Sequence, residues 1–458
     1  MNTAWLAPDI AAALNANAAR RARSRDRYRY YHRDTARFFQ RSIEETSRVL
    51  IVGCDVGPWA ARLKAAEIFT VDLLRPDADL AGALKAAPFD YVLLPYTLHF
   101  LENIQTFLET LRAGLAPHAR IVTLQYNFLW APLYKTAEWS GLKTPMPSLN
   151  WLSAQDVVNF LHLAGFEPVQ SATRCLVPFR LFGLSSLVNT YLAPLPGIMN
   201  LGHKLYAVAR SRPAPLPLPR VTVVVPARNE AGNVAPLLNR LPVLGERTEV
   251  VFVEGHSKDD TWGEIQRQLQ THPRRQLFDM KAFQQTGRGK ADAVRLGFAQ
   301  ATGDVLMILD ADLSVQPEDL PLFYRALAQG TAEFVNGSRL VYNMESQAMQ
   351  LLNLFFNKLF GLWISWIIGQ PVKDTLCGTK GMTRHNYERM QRVFAHWAGR
   401  DPFGDFDLLF GAARLSLKIR DVPVAYKERT YGTTNISRFR NGWQLLKMCL
   451  VFWPEFKQ

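Results

Sequence analysis

Short apolar runs alternate with helical hydrophobic patterns in two separate parts of the chain. The runs occupy residues 49–52, 68–72, 89–94 and 119–124 in the first part, and 221–225, 249–253 and 305–309 in the second. Runs of this length, rich in Val, Ile and Leu, are typical of strands buried on both faces. Strands that alternate with helices predict parallel sheets, so the pattern predicts an α/β fold with two domains.

A proline-rich stretch separates the two parts. After Arg212, residues 213–219 alternate proline with alanine or leucine, a pattern typical of a stiff, extended linker. The sequence therefore predicts a Rossmann-like domain over residues 1–210 and a linker over 211–219. A second α/β domain is predicted over 220–440, followed by an amphipathic C-terminal helix over 441–458.

Three further segments are amphipathic. Residues 20–41 carry nine arginines interleaved with aromatic residues, which predicts a basic helix that either packs on the first domain or contacts anionic lipid. Residues 174–209 are apolar but contain no uninterrupted apolar run long enough to span a bilayer, so a helical pair on the domain or at a bilayer surface is expected. Residues 344–369 predict a tryptophan-containing helix that belongs either to the core or to a membrane interface.

The net charge of the chain indicates which class of molecule it binds. The net charge of +13 indicates an anionic partner, either a phosphate-rich ligand or a membrane surface. We expect no nucleic-acid partner, because no nucleic-acid-binding motif accompanies this charge. The four cysteines are far apart, which argues against a zinc site or a disulfide framework and favours a reducing compartment. The expected location is the cytoplasm, with peripheral contact at the inner face of the membrane.

Two carboxylates end the third apolar run of the second part. Asp310 and Asp312 follow the run one residue apart. Because a buried carboxylate is costly unless it is paired, this position predicts a bound cation or polar ligand at the carboxyl edge of the sheet. Carboxylate oxygens suit Mg²⁺ or Mn²⁺, which would leave coordination sites for a diphosphate. The alternative is a carboxylate that caps the helix predicted at residues 317–319.

The first domain resembles the class I S-adenosylmethionine-dependent methyltransferases. The resemblance lies in a strand followed by a glycine turn, in a second strand that ends in an acid, and in the segments around residues 127–130, 150–153 and 164–167. It implies S-adenosylmethionine binding by Gly53, Gly57 and Asp72. Ile51 and Asp55, however, stand where the family has an acid and a glycine. The stretch between Asp72 and residue 89 is also too short for the helix and strand that usually hold the adenine. We therefore favour a degenerate, structural or regulatory domain over a working methyltransferase.

The second domain resembles family 2 glycosyltransferases of the GT-A fold, in the branch of polyprenyl-phosphate glycosyltransferases. The resemblance covers residues 220–440 and includes the segments 226–230, 254–261, 287–292, 304–312 and 374–380 in order. It implies that Asp310 and Asp312 hold the metal and act in catalysis, and that Asp310 also contacts the donor. The other donor-binding residues implied are Pro226, Arg228, Glu230, Glu254, Gly289 and Lys290.

The acceptor site implied by this resemblance is basic. Arg339, Lys380, Arg429 and Arg438 would form a cationic pocket for an anionic acceptor, the alternative being a solvated basic face. Asp405 and Asp407 lie where many family 2 enzymes have their general base. A hydroxyl acceptor would need such a base, whereas a phosphate acceptor, already ionised at neutral pH, would not.

The hypothesis that follows is an inverting, metal-dependent transfer of a sugar from a nucleotide-sugar donor to a polyprenyl phosphate or related membrane-associated acceptor. An alternative is a bifunctional S-adenosylmethionine-dependent methyltransferase and glycosyltransferase that acts on a hydroxyl of a glycan or glycolipid. Two others are a protein that is chiefly a methyltransferase and a non-catalytic membrane adaptor. The adaptor is disfavoured, because a retired site has no reason to keep Asp310 and Asp312.

Overall fold

A computed structural model describes residues 5–86, 88–147, 150–342, 351–394, 404–427, 431 and 438–457. The chain divides into two compact units. The N-terminal unit comprises Met1–Pro213 with the last two residues, and the C-terminal unit comprises Ala214–Phe456. Each unit is built around an α/β sheet, as the pattern of apolar runs predicts.

The N-terminal unit contains a six-stranded sheet in the order β2-β1-β3-β4-β6-β5. Strands β1 to β4 are parallel, and β6 is antiparallel to both β4 and β5. The strands are β1 Arg48–Gly53, β2 Glu67–Asp72, β3 Phe89–Pro95, β4 Leu115–Tyr126, β5 Phe166–Arg174 and β6 Lys204–Ser211. The helices are α1 Pro8–Ala16, α2 Ala18–Arg27, α3 Arg29–Ser42, α4 Gly57–Ala60, α5 Leu80–Lys85, α6 Ile104–Ala113, α7 Ala131–Trp139, α8 Ala154–Leu163 and α9 Leu184–Leu187.

Two expectations for this unit need correction. The predicted helical pair over residues 174–209 is wrong at its end, residues 204–209, where β6 pairs with β4 and β5. Leu205, Ala207 and Ala209 pack on one face of the sheet and Val208 packs on the other, so β6 is apolar on both faces. The predicted basic helix over residues 20–41 is two helices, α2 and α3, which meet at Tyr28.

The C-terminal unit contains a seven-stranded sheet in the order β13-β11-β12-β10-β7-β8-β9. Strand β12 is antiparallel to its neighbours β10 and β11, and the other pairs are parallel. The strands are β7 Val221–Ala227, β8 Thr248–Glu254, β9 Phe278–Gln284, β10 Val305–Ile308, β11 Phe334–Ser338, β12 Lys380–Thr383 and β13 Ile419–Pro423. The helices are α10 Val234–Arg240, α11 Thr261–Thr271, α12 Lys290–Gln300, α13 Leu320–Ala328, α14 Leu351–Ile368, α15 Arg384–Phe394, α16 Asp405–Arg414 and α17 Arg438–Lys457.

Strands β7, β8 and β10 are buried on both faces between two apolar clusters, which explains their uninterrupted runs of β-branched and aliphatic residues. Helix α14 differs from the predicted amphipathic helix. Its polar residue Asn357 is buried, whereas Phe356, Leu359 and Leu362 on another face are exposed. Residues 344–350 of that prediction lie outside the described residues. No helix in the described ranges is long and apolar enough to cross a bilayer.

Candidate functional site at the carboxyl edge of the C-terminal sheet

The segments predicted to bind a donor follow four neighbouring parallel strands. The register places Ile308 of β10 beside Val224 of β7, and Ala227 of β7 beside Glu254 of β8. Glu254 in turn lies beside Gln284, the last residue of β9. Because parallel strands end at the same edge of a sheet, the segments that follow β7, β8, β9 and β10 share one edge.

Lys290 and Asp310 form an ion pair at this edge. The Nζ atom of Lys290 lies 2.6 Å from Oδ1 of Asp310. Helix α12 begins at Lys290, directly after Gly289, whose φ of +88° is readily adopted by glycine. Burial opposes the charge on Lys290, but Asp310, Asp405 and Asp312 together raise its pKa above the ordinary lysine value. Lys290 is therefore an ammonium ion that contacts the carboxylate of Asp310.

Gly378 lies against this ion pair. A Cβ atom built on Gly378 would lie 2.1 Å from both Oδ2 of Asp310 and Nζ of Lys290. The backbone of Gly378 does not have the left-handed φ that favours glycine, so the requirement for glycine is one of space. The sequence places Gly378 in a motif but does not reveal this role, because the contact joins three distant parts of the chain.

Asp312 is buried, with 7% of its surface exposed. Its Oδ1 atom accepts hydrogen bonds from the backbone N of Ser314 at 3.0 Å and from Ser314 Oγ at 2.7 Å. Among the described residues, no group of three or more His, Cys, Asp or Glu side chains is arranged to hold a metal ion. Mg²⁺ is nevertheless commonly bound by only one or two carboxylates together with substrate phosphate oxygens. The buried Asp312 beside Asp310 fits a site of that kind.

The acids after β7 and β8 are held by hydrogen bonds. Burial alone would raise the pKa of Glu254, but hydrogen bonds from Ser257 and Gln284 outweigh it and lower this pKa. The backbone N of Ser257 lies 2.5 Å from Oε1 of Glu254. Glu230 is buried, and its Oε2 atom accepts a hydrogen bond from Asn233 Nδ2 at 2.6 Å. Both carboxylates therefore have fixed orientations at the sheet edge.

Two loops at this edge are joined by hydrogen bonds. Asn229 and His256, after β7 and β8, have φ angles of 58° and 56°, a region that few non-glycine residues adopt. The backbone N of Asn229 donates to Ser257 Oγ at 2.9 Å, and Asn229 Oδ1 accepts from the backbone N of Lys258 at 2.7 Å. Arg228 is exposed beside this junction, whereas Pro226 is the half-buried sixth residue of β7.

Tyr431 contacts the same loops and was not singled out by the sequence. Its hydroxyl donates to Asp259 Oδ2 at 3.3 Å. A Cβ atom on Gly232 would lie 2.7 Å from the Tyr431 ring, so the ring packs directly on that glycine. The neighbouring residues 428–430 and 432–437 lie outside the described residues.

The predicted acceptor residues do not form an open basic pocket within the described part of the chain. Arg339 makes two side-chain hydrogen bonds to Asp374, at 2.7 and 2.9 Å, and Asp374 is fully buried. Lys380 is also fully buried; its Nζ atom donates to Asn336 Oδ1 at 3.0 Å and to the backbone O of Cys377 at 2.6 Å. Arg429 lies outside the described residues, and Arg438 is described only as the first residue of α17.

Asp405 and Asp407 lie in the first turn of α16, next to the Lys290 ion pair. An Oδ1 atom of Asp405 is 3.6 Å from Lys380 Nζ, and an Oδ2 atom of Asp407 is 3.8 Å from an Nη atom of Arg295. Together with Lys290, they line a small cavity. Both carboxylates are buried, so each is close to a cation rather than free in solvent.

The predicted S-adenosylmethionine residues lie at the corresponding edge of the N-terminal sheet. Asp72 ends β2, and its Oδ1 atom accepts hydrogen bonds from the backbone N of Asp55 and of Leu74, both at 3.1 Å. Asp55 has a φ of 61°, and its carboxylate forms an ion pair with Arg25 of α2. A Cβ atom on Gly53 would lie 2.6 Å from Thr97 Oγ1, which indicates that Gly53 serves packing. Gly57 has no neighbour within that reach.

We expect isothermal titration of the full chain with S-adenosylmethionine to give no binding heat at millimolar cofactor. The physical reason is that the carboxylate of Asp72 already accepts a hydrogen bond from the backbone of the turn. In addition, Arg25 and Asp55 occupy the position where the methyltransferase family has a glycine, which lets the backbone approach the cofactor. Heat that saturates at micromolar cofactor would contradict a degenerate site. The double variant Arg25→Ala/Asp55→Gly tests whether these two side chains are responsible.

Comparison with known proteins finds a similar family for part of each domain. The family model described as glycosyl transferase family 2 matches residues 222–399, and a methyltransferase domain model matches residues 23–171. Residues 222–399 are therefore similar to glycosyl transferase family 2. This match includes the sheet edge that carries Lys290, Asp310 and Asp312.

Several curated proteins are similar to part of the chain. A dolichol-phosphate mannosyltransferase of Pyrococcus furiosus is 34% identical over 125 residues, which are 27% of this chain and 34% of that protein. An undecaprenyl-phosphate 4-deoxy-4-formamido-L-arabinose transferase of Pectobacterium carotovorum is 26% identical over 47% of this chain and 62% of that protein. The alignments with these two relatives therefore cover between 34% and 62% of the relatives' own length.

Solved structures are similar to about half of the chain. Glucosyl-3-phosphoglycerate synthase of Mycobacterium tuberculosis, in complex with Mn²⁺, UDP and glucosyl-3-phosphoglycerate, has 17% identity and a TM-score of 0.37 over 52% of this chain and 80% of that chain. A mannosyltransferase of Pyrobaculum calidifontis, in complex with GDP-Man and Mn²⁺, has 21% identity and a TM-score of 0.36 over 52% of this chain and 66% of that chain.

Proposed function

We propose that this protein is an inverting, metal-dependent glycosyltransferase that moves a sugar from a nucleotide-sugar donor to a polyprenyl phosphate or related membrane-associated acceptor. The observation that carries the proposal is the cluster of Lys290, Asp310, Asp312 and Asp405 at the shared carboxyl edge of four parallel strands. The match of residues 222–399 to glycosyl transferase family 2 supports the same chemistry.

In this proposal the donor lies along the sheet edge. The base and ribose would contact the segment that contains Pro226, Arg228 and Glu230, and also Glu254, whose fixed carboxylate can accept hydrogen bonds from hydroxyl or amino groups. The diphosphate would lie at the N-terminus of α12, where Gly289 and Lys290 present backbone N–H groups and an ammonium ion. Asp310, held by Lys290, would face the sugar and the ribose.

A divalent metal ion, Mg²⁺ or Mn²⁺, would be held by Asp312 with Asp310 beside it. When bound, such an ion neutralises the negative charge that develops on the departing nucleoside diphosphate. Lys290 adds a second positive charge near the same position, because its raised pKa keeps it protonated at neutral pH.

The acceptor class is inferred from two features. The similar proteins of Pyrococcus furiosus and Pectobacterium carotovorum are named as dolichol-phosphate and undecaprenyl-phosphate transferases. In the C-terminal unit, α14 exposes Phe356, Leu359 and Leu362. Helix α17 exposes Trp443 and Leu450 while it buries Leu445 and Phe452 on its other face. Apolar helix faces of this kind suit a bilayer surface, so we place the protein at the inner face of the membrane.

The N-terminal unit is proposed to be a structural or regulatory domain. Two observations support this proposal. Arg25 and Asp55 form an ion pair at the glycine turn, and the carboxylate of Asp72 accepts hydrogen bonds from backbone N–H groups. Methylation is not part of the proposed reaction.

Transfer from a radiolabelled nucleotide sugar tests the proposed function directly. We expect the full chain to transfer sugar to a polyprenyl phosphate in detergent with Mg²⁺ or Mn²⁺, and to lose that activity with EDTA. The matched control is the corresponding polyprenol, which lacks the phosphate and should accept no sugar. A screen of donors by thermal stabilisation would find the nucleotide first, because bound ligand stabilises the folded state. Turnover only with soluble hydroxyl acceptors would contradict the proposed acceptor.

Asp405→Asn and Asp407→Asn separate the two acceptor chemistries. An ionised phosphate needs no general base, so we expect each variant to keep its transfer rate within about tenfold of the wild type. A hydroxyl acceptor would need the base, and losing it costs about 10²–10⁴-fold. The rates are to be measured at several pH values. A loss of that size that is independent of folding, as judged by circular dichroism, would favour the hydroxyl acceptor.

A further inference from the structure

The N-terminal unit has a large exposed apolar surface. None of the candidate site residues at the two sheet edges belongs to it. Two segments, residues 128–142 and 179–201, form it, and we call this surface the apolar shelf. Phe182 is 107% exposed and Trp139 is 91% exposed, so both rings project fully into solvent. Monomeric proteins rarely expose contiguous apolar patches of this kind unless they bind something. Other exposed members are Leu133, Leu142, Phe179, Leu184, Leu187 and Tyr191.

The two segments of the apolar shelf are in contact. The indole Nε1 of Trp130 donates to the backbone O of Leu201 at 2.8 Å. At another point, the Tyr28 hydroxyl donates to the backbone O of Leu142 at 3.1 Å, and the Tyr28 ring centroid lies 6.2 Å from that of Phe179. The two segments are therefore joined directly at one point and through Tyr28 at a second.

One margin of the apolar shelf is basic. Tyr28 joins α2 to α3, and the Arg27 guanidinium lies 5.9 Å from the centroid of its ring. Arg20 and Arg23 of α2 are exposed as well. The chain from residue 175 to residue 203 contains Arg180 and no Asp or Glu, and the carboxylate of Glu138 in the other segment is paired with Lys143.

We propose that the apolar shelf is a membrane-docking surface that inserts Trp139 and Phe182 into the interface of a bilayer containing anionic phospholipid. A tryptophan and a phenylalanine that project fully from a surface, next to exposed arginines, match the composition of interfacial membrane contacts. A second copy of the chain would bring the same arginines together, and their like charges would oppose that contact. The inference extends the membrane contact of the proposed function to the N-terminal unit, and in that respect it rests on that function.

Vesicle co-sedimentation of the full chain tests the proposal. The double variant Trp139→Ser/Phe182→Ser should bind vesicles of phosphatidylcholine with phosphatidylglycerol at least about tenfold more weakly than the wild type, because both inserted rings are lost. Since neither side chain is buried, folding should be unaffected. The matched control is Val243→Ser/Leu277→Ser, two exposed apolar residues of the C-terminal unit, which should keep wild-type binding.

A second variant tests separately whether the exposed arginines of α2 contribute to membrane binding. The triple variant Arg20→Gln/Arg23→Gln/Arg27→Gln should bind the anionic vesicles about fivefold more weakly per arginine, and should bind pure phosphatidylcholine vesicles as the wild type does. The proposal is overturned if the wild type does not bind anionic vesicles or if the Trp139/Phe182 variant binds them unchanged. It is also overturned if the control variant weakens equally, or if sedimentation shows that the Trp139/Phe182 variant has only lost self-association.

The same variant distinguishes this inference from the proposed transferase function. With a short-chain, water-soluble prenyl phosphate as acceptor, the Trp139→Ser/Phe182→Ser protein should transfer sugar at the wild-type rate, since neither residue belongs to the sheet edge. Loss of vesicle binding with intact transfer supports both proposals. Intact vesicle binding in that variant, whatever its transfer rate, rejects the docking surface alone.

Discussion

Replacing Asp312 by asparagine is expected to lower the rate of glycosyl transfer by about 10³-fold or more. The substitution keeps the size of the side chain and its capacity to accept hydrogen bonds from Ser314, so the fold should be retained. It removes the negative charge that we propose holds the divalent ion beside the diphosphate. The measurement is the initial rate of transfer at saturating donor as a function of Mn²⁺ concentration. A second measurement is thermal stabilisation by Mn²⁺ with nucleoside diphosphate, which should disappear.

Asp304→Asn is the matched control for Asp312→Asn. Asp304 directly precedes the same strand, β10, and is exposed at its other end, where its Oδ2 atom accepts a hydrogen bond from the backbone N of Arg220 at 3.1 Å. We expect its rate to stay within about twofold of the wild type, since surface substitutions of this kind have small effects. If Asp312→Asn kept more than a tenth of wild-type activity at every metal concentration, the proposed metal site would be wrong.

Replacing Gly378 by alanine is the second prediction with a large expected effect. The new methyl group would lie 2.1 Å from both Asp310 and Lys290, so the two side chains would have to separate or rotate. A displacement of about 1 Å in groups that position a substrate can lower the rate about 10²-fold. We therefore expect a loss of about 10²-fold in kcat/KM for the donor, with secondary structure unchanged by circular dichroism. The nucleoside diphosphate should also bind more weakly, as calorimetry can measure.

Gly381→Ala is the control for Gly378→Ala. Gly381 lies three residues further along, in β12, where an added Cβ would meet the end of a flexible side chain, Leu327 Cδ1, at 3.1 Å. This variant should keep most of its activity. Equal losses in the two variants would attribute the effect to general disturbance of β12 and would remove the argument that Gly378 positions the ion pair.

Prediction from sequence worked where the information is local. The runs at residues 221–225, 249–253 and 305–309 became the parallel strands β7, β8 and β10, because a stretch of β-branched and aliphatic residues fits only a strand covered on both faces. The polar segments that follow these strands had to share one edge, since parallel strands end on the same side. The same reasoning failed for residues 204–211, whose period of two is masked by Lys204 and Arg210, both buried in the sheet.

The predicted acceptor site shows more clearly which features cannot be predicted from the sequence. Basic residues such as Arg339 and Lys380 predict an anion-binding surface only if no other residue of the protein neutralises their charge. The fold places Asp374 against Arg339, and it encloses Lys380 between Asn336 and the backbone of Cys377. Asn336, the side-chain partner of Lys380, comes from β11 and is distant in the sequence, so no local pattern reveals this contact.

The sequence by itself determined that the protein has two α/β domains in this order and that Asp310 and Asp312 stand at the end of a buried strand, because hydrophobic periodicity and strand polarity are local properties. Only the tertiary structure decided that Lys290 pairs with Asp310, that Gly378 leaves room for this pair, and that Trp139 and Phe182 project into solvent. These facts depend on distances between residues that are far apart in the chain, and such distances are fixed by packing.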